Sequence, residues 1–222
     1  MLIAFAGNLG SGKTVSLTYF ALLAHFNGQK VYSNYRLYGM PYYPVHSIEQ
    51  VASMKDGFAA MDEFWLWADS RVSTSKRNRA VARIISASRH VGVSFGYTVQ
   101  LMHMADRRIR QLTDLTVTPK FQSEDVCKLD FWRGTSRGGM PVYYNPQAVY
   151  PFYDTTEVVD EPLPGDSEPQ RVRFPIRENK AWIAFLGNNG IWGRNARRIC
   201  DGIDAEIKSA EAESCPHSFP HR

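Results

Sequence analysis

The sequence is short of closely spaced cysteines and of long apolar runs. Its three cysteines, Cys127, Cys200 and Cys215, form no short-spaced pair, so neither a disulfide framework nor a zinc site is predicted. No apolar segment approaches the roughly 18 residues that a membrane-crossing helix requires. These shortages predict a soluble protein of a reducing compartment with no membrane span.

Charges of one sign are missing from two segments. Residues 154–170 hold six acidic residues, no Lys or Arg, and several prolines, a composition typical of a linker. Residues 70–105 hold six basic residues and no acidic one, within a chain of net charge +4. Such a basic segment favours an anionic partner, although a solvated face is the ordinary role of any single exposed cation.

What the sequence does contain is an alternation of apolar runs and helical patterns. Strands are predicted at residues 1–6, 30–34, 57–61, 91–99 and 115–118, and helices at 11–27 and 74–89. Alternating strands and crossover helices predict an α/β fold with a mostly parallel sheet flanked by helices. Residues 126–150 contain short β-like stretches broken by glycine and proline, which predict one or two added hairpins.

The strongest motif is GNLGSGKT at residues 7–14, which fits G-x-x-x-x-G-K-[ST] and lies between the first strand and the first helix. This is the phosphate-binding P-loop: its backbone amides cradle phosphate oxygens, Lys13 reaches the β- and γ-phosphates, and Thr14 ligates Mg²⁺. The motif predicts ATP as ligand. Its predicted binding residues are Gly7, Asn8, Gly10, Ser11, Gly12, Lys13 and Thr14.

A second motif places two carboxylates at the end of the strand at 57–61. Asp62 is predicted to hold Mg²⁺ and Glu63 to polarise the attacking water. A third feature is Gln100, which ends the strand at 91–99. Because parallel strands end at the same sheet edge, Gln100 is expected beside the γ-phosphate, where it can sense phosphate or orient water.

These motifs divide the chain into four predicted segments. Residues 1–153 form a P-loop NTPase domain of the RecA/FtsK-like kind, and 154–170 form the acidic linker. Residues 171–208 return to a basic, partly apolar composition and are predicted to form a small helical appendage. Residues 209–222 are predicted to be a disordered tail.

Over residues 1–155 the chain resembles the FtsK–HerA superfamily of ring-forming ATPases, which includes viral genome-packaging ATPases and zonula-occludens-toxin-like phage proteins. The residues that carry the resemblance are the P-loop, Met61-Asp62-Glu63, Ser88-Arg89-His90, Tyr97-Thr98-Val99-Gln100 and the segment 107–114. The resemblance implies a pentameric or hexameric ring, a sensor role for Gln100, and an arginine that acts across the subunit interface. Arg89 is the first choice for that arginine, with Arg71 and Arg110 in reserve.

Several functions remain open at this point. The first is a viral packaging ATPase, in the host cytoplasm or on the virion, that pumps double-stranded DNA into a capsid and contacts capsid or vertex proteins. Lys76, Arg79 and Arg83 are its candidate DNA contacts. The second is a zonula-occludens-toxin-like morphogenesis or secretion ATPase; such members usually carry a transmembrane helix after the ATPase domain, so its absence favours the packaging motor. A small-molecule kinase is the third.

Overall fold

The computed structural model describes residues 1–68 and 76–154, together with residues 156, 157, 159, 161, 162 and 169. At Lys76, Arg77 and Arg89 the description is of the backbone. Arg71, much of the acidic linker, and the predicted appendage and tail at 171–222 lie outside the described residues. Among the described residues, no helix combines the length and the apolar character that a membrane span requires.

Strands and helices alternate along the first two thirds of the described chain. The strands are β1 (Leu2–Ala6), β2 (Lys30–Ser33), β3 (Tyr43–Pro44), β4 (Gly57–Met61), β5 (Val93–Val99), β6 (Leu115–Ser123), β7 (Val126–Arg133), β8 (Ser136–Arg137) and β9 (Val142–Tyr144). The helices are α1 (Lys13–Phe26), α2 (Ile48–Ser53), α3 (Lys76–Ser88) and α4 (Arg107–Leu112).

Within the described residues the strands form one sheet in the order β3-β2-β4-β5-β1-β6-β7-β8, with β9 also paired to β7. All pairings among β1 to β6 are parallel, and those of β7 with β6, β8 and β9 are antiparallel. In the centre, Ala4 of β1 lies opposite Tyr97 of β5, and Ala59 of β4 lies opposite Phe95. The predicted α/β class with a mostly parallel sheet is confirmed.

Helices cover both faces of this sheet. On one face α1 packs against Phe5 of β1 and Phe58 of β4, and the β6–β7 hairpin adds Val117 and Leu129 to the same core. On the other face α3 and α4 contribute Val81, Ile85 and Ile109 to a second core. Because both faces are buried, the central strands are apolar along most of their length, as is usual for parallel sheets.

The amphipathic pattern of α3 is confirmed where side chains are described. Val81, Ile85 and Ser88 are buried, whereas Arg79 and Arg83 are exposed. The apolar face of the helix packs on the sheet because burial removes apolar surface from water. The arginines lie on the opposite face of the helix.

The predicted boundaries were wrong at the hairpin. β6 continues to Ser123 instead of ending at residue 118, so the first hairpin is β6–β7 and begins before residue 126. Pro119 is typical of a strand interruption. Beyond Val117, however, β6 leaves β1 and pairs with β7 alone, an edge position at which a proline is tolerated.

The prediction also missed β3, α2 and α4. The α2 signal was present in the sequence: Ser47 and Gln50 form a capping box, in which each side chain bonds the other's backbone N–H. For α4 the signal is Asp106, whose buried carboxylate accepts from the backbone N–H of Arg108. Both helices are only six residues long, too short for a clear helical period.

Candidate functional site

The P-loop turn depends on two glycines with left-handed backbone. Gly10 has φ 74° and Gly12 has φ 93°, a region that costs a residue with a Cβ roughly 1–2 kcal/mol. A Cβ on Gly12 would also lie only 3.0 Å from the ring of Phe121. The loop therefore closes tightly between β1 and α1, and the carbonyl of Gly12 accepts from the backbone N–H of Ser16 in the first turn of that helix.

Two side chains of the loop suit a bound phosphate. Lys13 is buried, and its Nζ donates to the carbonyl of Asn8 at 3.0 Å, so the ammonium lies over the loop's own backbone. The Ser11 hydroxyl oxygen is buried and has no hydrogen-bond partner among the described residues. An ammonium, an unpaired hydroxyl and a helix amino end form an electropositive cradle of the kind that phosphate oxygens occupy.

Asp62 follows β4 and faces the P-loop. Its carboxylate accepts from the Thr14 hydroxyl at 3.1 and 3.2 Å and from the Thr98 hydroxyl. Burial raises the pKa of the Asp62 carboxyl, while the hydrogen bonds from Thr98 and Thr14 act in the opposite direction. A desolvated carboxylate beside a threonine hydroxyl offers hard oxygen ligands to Mg²⁺. Thr14 and Asp62, the two predicted metal residues, are thus brought together.

Glu63 turns the chain sharply at the end of β4. Its backbone is left-handed, with φ 44° and ψ 43°, and its N–H donates to the Thr98 hydroxyl at 2.8 Å. Its carboxylate accepts from the indole N–H of Trp65. Glu63 borders the same cleft as Lys13.

Two positioning residues were missed by the sequence reasoning. The Asn34 side chain donates to the Asp62 carbonyl at 2.8 Å and accepts from the Asp62 N–H at 2.7 Å. Thr98 bonds both acids. Each residue ends or nearly ends a strand next to β4. The available signal was a polar residue at the end of each neighbouring parallel strand. This signal can be recognised only when the strand order is known.

Gln100 directly follows β5, whose Val99 lies opposite Ala6 and whose Tyr97 lies opposite Met61. Gln100 is therefore at the sheet edge that carries the P-loop and the two acids, between the strands that bear them, but it is not among the described residues that border the P-loop cleft. Its side chain is half-buried.

The predicted interface arginines lie elsewhere. Arg89 belongs to a helical turn just before β5, at the sheet edge opposite to the P-loop. Arg110 on α4 is exposed. Burial raises the pKa of the Tyr97 phenol to about 12, and the positive charge of Arg110 acts in the opposite direction. Arg110 is not among the described residues that border the P-loop cleft.

The cleft at the P-loop has a volume of about 520 Å³. One side holds the loop and the two acids. The other side is an aromatic wall formed by Phe121, Tyr150 and Tyr153. The last described segment completes this wall: Tyr153 pairs with Leu37, and Glu157 accepts from the backbone N–H of Arg36 at 2.8 Å.

No protein-family model and no curated protein matches this chain. Among solved structures, the N-terminal domain of zonular occludens toxin from Neisseria meningitidis is similar, with a TM-score of 0.52 and 16% identity over 69% of this chain and 98% of that domain. The genome packaging NTPase B204 from Sulfolobus turreted icosahedral virus 2, in complex with ATP-gammaS, has a TM-score of 0.46 and 12% identity over 65% of this chain and 97% of its own. The first likeness confirms the predicted P-loop NTPase fold.

The buried Asp62 carboxylate generates a prediction on stability. Because its folded-state pKa is raised, the folded protein binds this proton more tightly than the unfolded chain does, and the stability falls as pH rises from about 4 through the folded pKa. Without Mg²⁺ or nucleotide, Asp62→Asn should therefore be more stable than the parent at pH 7, by about 1 kcal/mol or roughly 2–4 °C in Tm.

Thermal melts between pH 4 and pH 8 measure this effect. The advantage of Asp62→Asn should shrink as pH falls, because the parent carboxyl becomes neutral as well. The exposed Asp125 provides the control: Asp125→Asn should follow the parent. Equal melting curves for Asp62→Asn and the parent at every pH would show that the carboxylate carries no desolvation cost.

Proposed function

We propose that this chain is an ATP-hydrolysing motor that moves double-stranded DNA, working as a homo-oligomeric ring that packages a viral genome. The observation that carries the proposal is the convergence of the P-loop, Asp62 and Glu63 at one sheet edge, with the Thr14 hydroxyl 3.1 Å from the Asp62 carboxylate. We place this motor in the host cytoplasm or on the virion, and we propose capsid or vertex proteins as its further partners.

Each group has a separate chemical role. The loop amides and Lys13 bind the phosphates; Thr14 and Asp62 would hold Mg²⁺, which would supply charge neutralisation to the phosphate oxygens. Glu63 accepts a proton from a water molecule, whose oxygen attacks the γ-phosphorus. The bond from that phosphorus to the β,γ-bridging oxygen breaks, which gives ADP and inorganic phosphate. Gln100, beside this position, contacts the γ-phosphate or the water.

The aromatic wall favours a nucleotide, which has a base, as the ligand; phosphorylated ligands without a base are less suited to it. Phe121 and Tyr150 both border the cleft, and an added Cβ on Gly12, which caps α1, would lie 3.0 Å from the Phe121 ring. A nucleobase that leaves the phosphate cradle meets these rings, on which it can stack with an energy of about 1–3 kcal/mol.

The first functional prediction separates binding from hydrolysis. Lys13→Ala should abolish nucleotide binding or turnover, because it removes the charge that reaches the β- and γ-phosphates. Glu63→Gln should keep Mg²⁺-ATP binding and lower kcat by about 10²-fold or more, because it removes the proton acceptor alone. Phosphate release and ATP-binding isotherms measure the two effects.

The control for Glu63→Gln is Glu124→Gln, at an exposed glutamate of the β6–β7 turn, and it should hydrolyse ATP at the parental rate. A Glu63→Gln variant that also retained the parental rate would remove Glu63 from the reaction.

The DNA part of the proposal rests on a groove between α3 and α4. Arg79 and Arg83 from α3 line it with Arg108 from α4, and its volume is about 430 Å³. The three arginines are exposed. Lys76 belongs to the first turn of α3. A cationic groove of this kind binds the phosphate backbone irrespective of sequence, which is what a genome-moving protein requires.

The second functional prediction concerns this groove. DNA affinity should fall as salt rises, with a log–log slope of about −0.9 per phosphate contacted. Replacing Lys76, Arg79 and Arg83 by Ala should weaken binding and flatten the slope by about 1 for each contact that is lost. Replacing the exposed Lys30, Lys55 and Lys120 instead changes the net charge equally and should leave the slope nearly unchanged.

Other outcomes point to the alternative functions. Salt-insensitive or undetectable DNA binding by the assembled protein would support a morphogenesis or secretion ATPase, which extrudes a protein or nucleoprotein filament. An ATPase rate independent of both DNA and protein concentration would support a monomeric kinase.

The ring proposal follows from the position of Arg89. The seven residues of β5 separate Arg89 from the P-loop edge, a distance of about 20 Å, which exceeds the reach of an arginine side chain. Lys13 is the one described cation that lines the nucleotide cleft. Transition-state charge on the phosphoryl oxygens therefore calls for a positive side chain from a neighbouring subunit, and we propose Arg89 for that role.

The third functional prediction tests a shared active site. Arg89→Ala and Lys13→Ala should each be inactive alone, since an arginine finger is worth about 10³–10⁵ in rate. Mixing them should restore part of the ATPase activity, because some interfaces then combine an intact P-loop with an intact finger. Arg133→Ala, at an exposed arginine of the hairpin, should stay active alone. Mixtures that assemble without recovering activity would direct attention to Arg71 and Arg110.

A further inference from the structure

Trp65 is the residue that contacts the proposed water-activating side chain. Resting on the ATPase function proposed above, we propose that Trp65 is a positioning residue, which holds the Glu63 carboxylate in the orientation needed for hydrolysis. The indole is a neutral donor that takes no part in the proton transfer itself, so its effect on the reaction passes entirely through Glu63.

The contact is a hydrogen bond that the indole nitrogen of Trp65 donates to Oε2 of Glu63. A carboxylate acceptor gives stronger hydrogen bonds than a neutral one. Trp65 and Glu63 are both half-buried, and both border the cleft of the P-loop. With Oε2 engaged by the indole, Oε1 is the oxygen that remains to accept the proton of a water molecule.

Backbone contacts fix the position of the Glu63 main chain but not the position of its carboxylate. The Glu63 N–H is held by Thr98, its carbonyl accepts from the N–H of Leu66 at 2.9 Å, and Phe64 anchors the turn in the core. Three rotatable side-chain bonds still separate the carboxylate from this fixed backbone. Ordering such a side chain costs up to about 2 kcal/mol in entropy, and the Trp65 contact orders it in advance of the reaction.

The left-handed backbone of Glu63 makes the contact possible. Residues two apart in sequence do not face each other on a regular helix. Here the backbone leaves β4 in the left-handed region at Glu63 and enters a 3₁₀ turn at residues 64–66. The side chains at positions 63 and 65 are thereby turned toward each other. A strained conformation at a proposed catalytic residue is a common feature of active sites.

Trp67, two residues further on, provides the internal comparison. It is 1% exposed and packs in the core that holds α3 and α4. Its indole nitrogen has no hydrogen-bond partner among the described residues, and it does not border the cleft. The two tryptophans therefore separate two roles: Trp67 fills the core, and Trp65 bonds Glu63.

The experiment is a double-mutant cycle on the full chain. Trp65→Phe and Trp67→Phe are each made in the parent and in Glu63→Gln, and kcat, KM and residual single-turnover rates are measured for Mg²⁺-ATP. Trp65→Phe should lower kcat by roughly 5- to 20-fold with KM within about 3-fold, because nucleotide contacts survive while the carboxylate loses its orientation. In Glu63→Gln, adding Trp65→Phe should cause no further loss.

Trp67→Phe should lower the unfolding midpoint, and any effect it has on the rate should multiply with that of Glu63→Gln. Trp65→His enters the same cycle, because an imidazole can also donate an N–H; it should keep more of the parental kcat than Trp65→Phe does. Circular dichroism establishes that each variant folds, and the histidine variant decides the question if the phenylalanine variant does not fold.

The outcomes distinguish this inference from the function on which it rests. A parent chain without ATP hydrolysis would overturn both. An active parent with an unchanged or raised kcat in Trp65→Phe would overturn the positioning role alone. So would a loss that multiplies with that of Glu63→Gln, because such a loss does not act through Glu63.

Discussion

The buried carboxylate of Asp62 is the group on which the arrangement of the site depends. Thr14 at the start of α1 and Thr98 of β5 donate to its oxygens, while Asn34 at the end of β2 bonds its backbone. Three elements are thus tied to the end of β4 by one residue. Although two hydroxyls donate to this carboxylate, burial still raises its pKa, so its charged form is disfavoured in the ligand-free state and a cation beside it would be stabilising.

The two sides of the site are built differently. On the side of β1, β4 and β5, the residues are fixed by ladder hydrogen bonds and by two apolar cores. On the other side, the cleft is bordered by the ring of Phe121, which lies in β6 beyond its parallel pairing with β1, and by rings from the segment at 150–153. In the proposed function, the phosphate end of a nucleotide would meet preorganised groups, and the base would meet a surface formed by the added hairpin and the closing segment.

Three described arginines lie away from the two acids. Arg79, Arg83 and Arg108 line a groove on the helical layer of α3 and α4, away from the nucleotide cleft. If a polymer moves at this groove, its movement would have to be linked to hydrolysis through the residues packed between the groove and the nucleotide cleft. Asp106 provides one such connection, because its carboxylate bonds Asn78 of α3 and caps α4, while its backbone N–H donates to Ala68 of the segment that follows Glu63. The proposed catalytic turn and the arginine-bearing helices are thus in direct contact.

The sequence by itself determined the α/β class, the P-loop between β1 and α1, the acids after β4 and the amphipathic direction of α3, because each of these depends on a local period or a short spacing. It did not determine the extent of β6, since Pro119 is acceptable only where the neighbouring strand has ended. Nor did it reveal Asn34, Thr98 or Trp65 as parts of the site. Asn34 and Thr98 matter because the strand order places β2 and β5 on either side of β4, and Trp65 because a left-handed residue turns it back toward Glu63. Such contacts between residues follow from tertiary placement and backbone dihedral angles, which no pattern of residue types along the chain specifies.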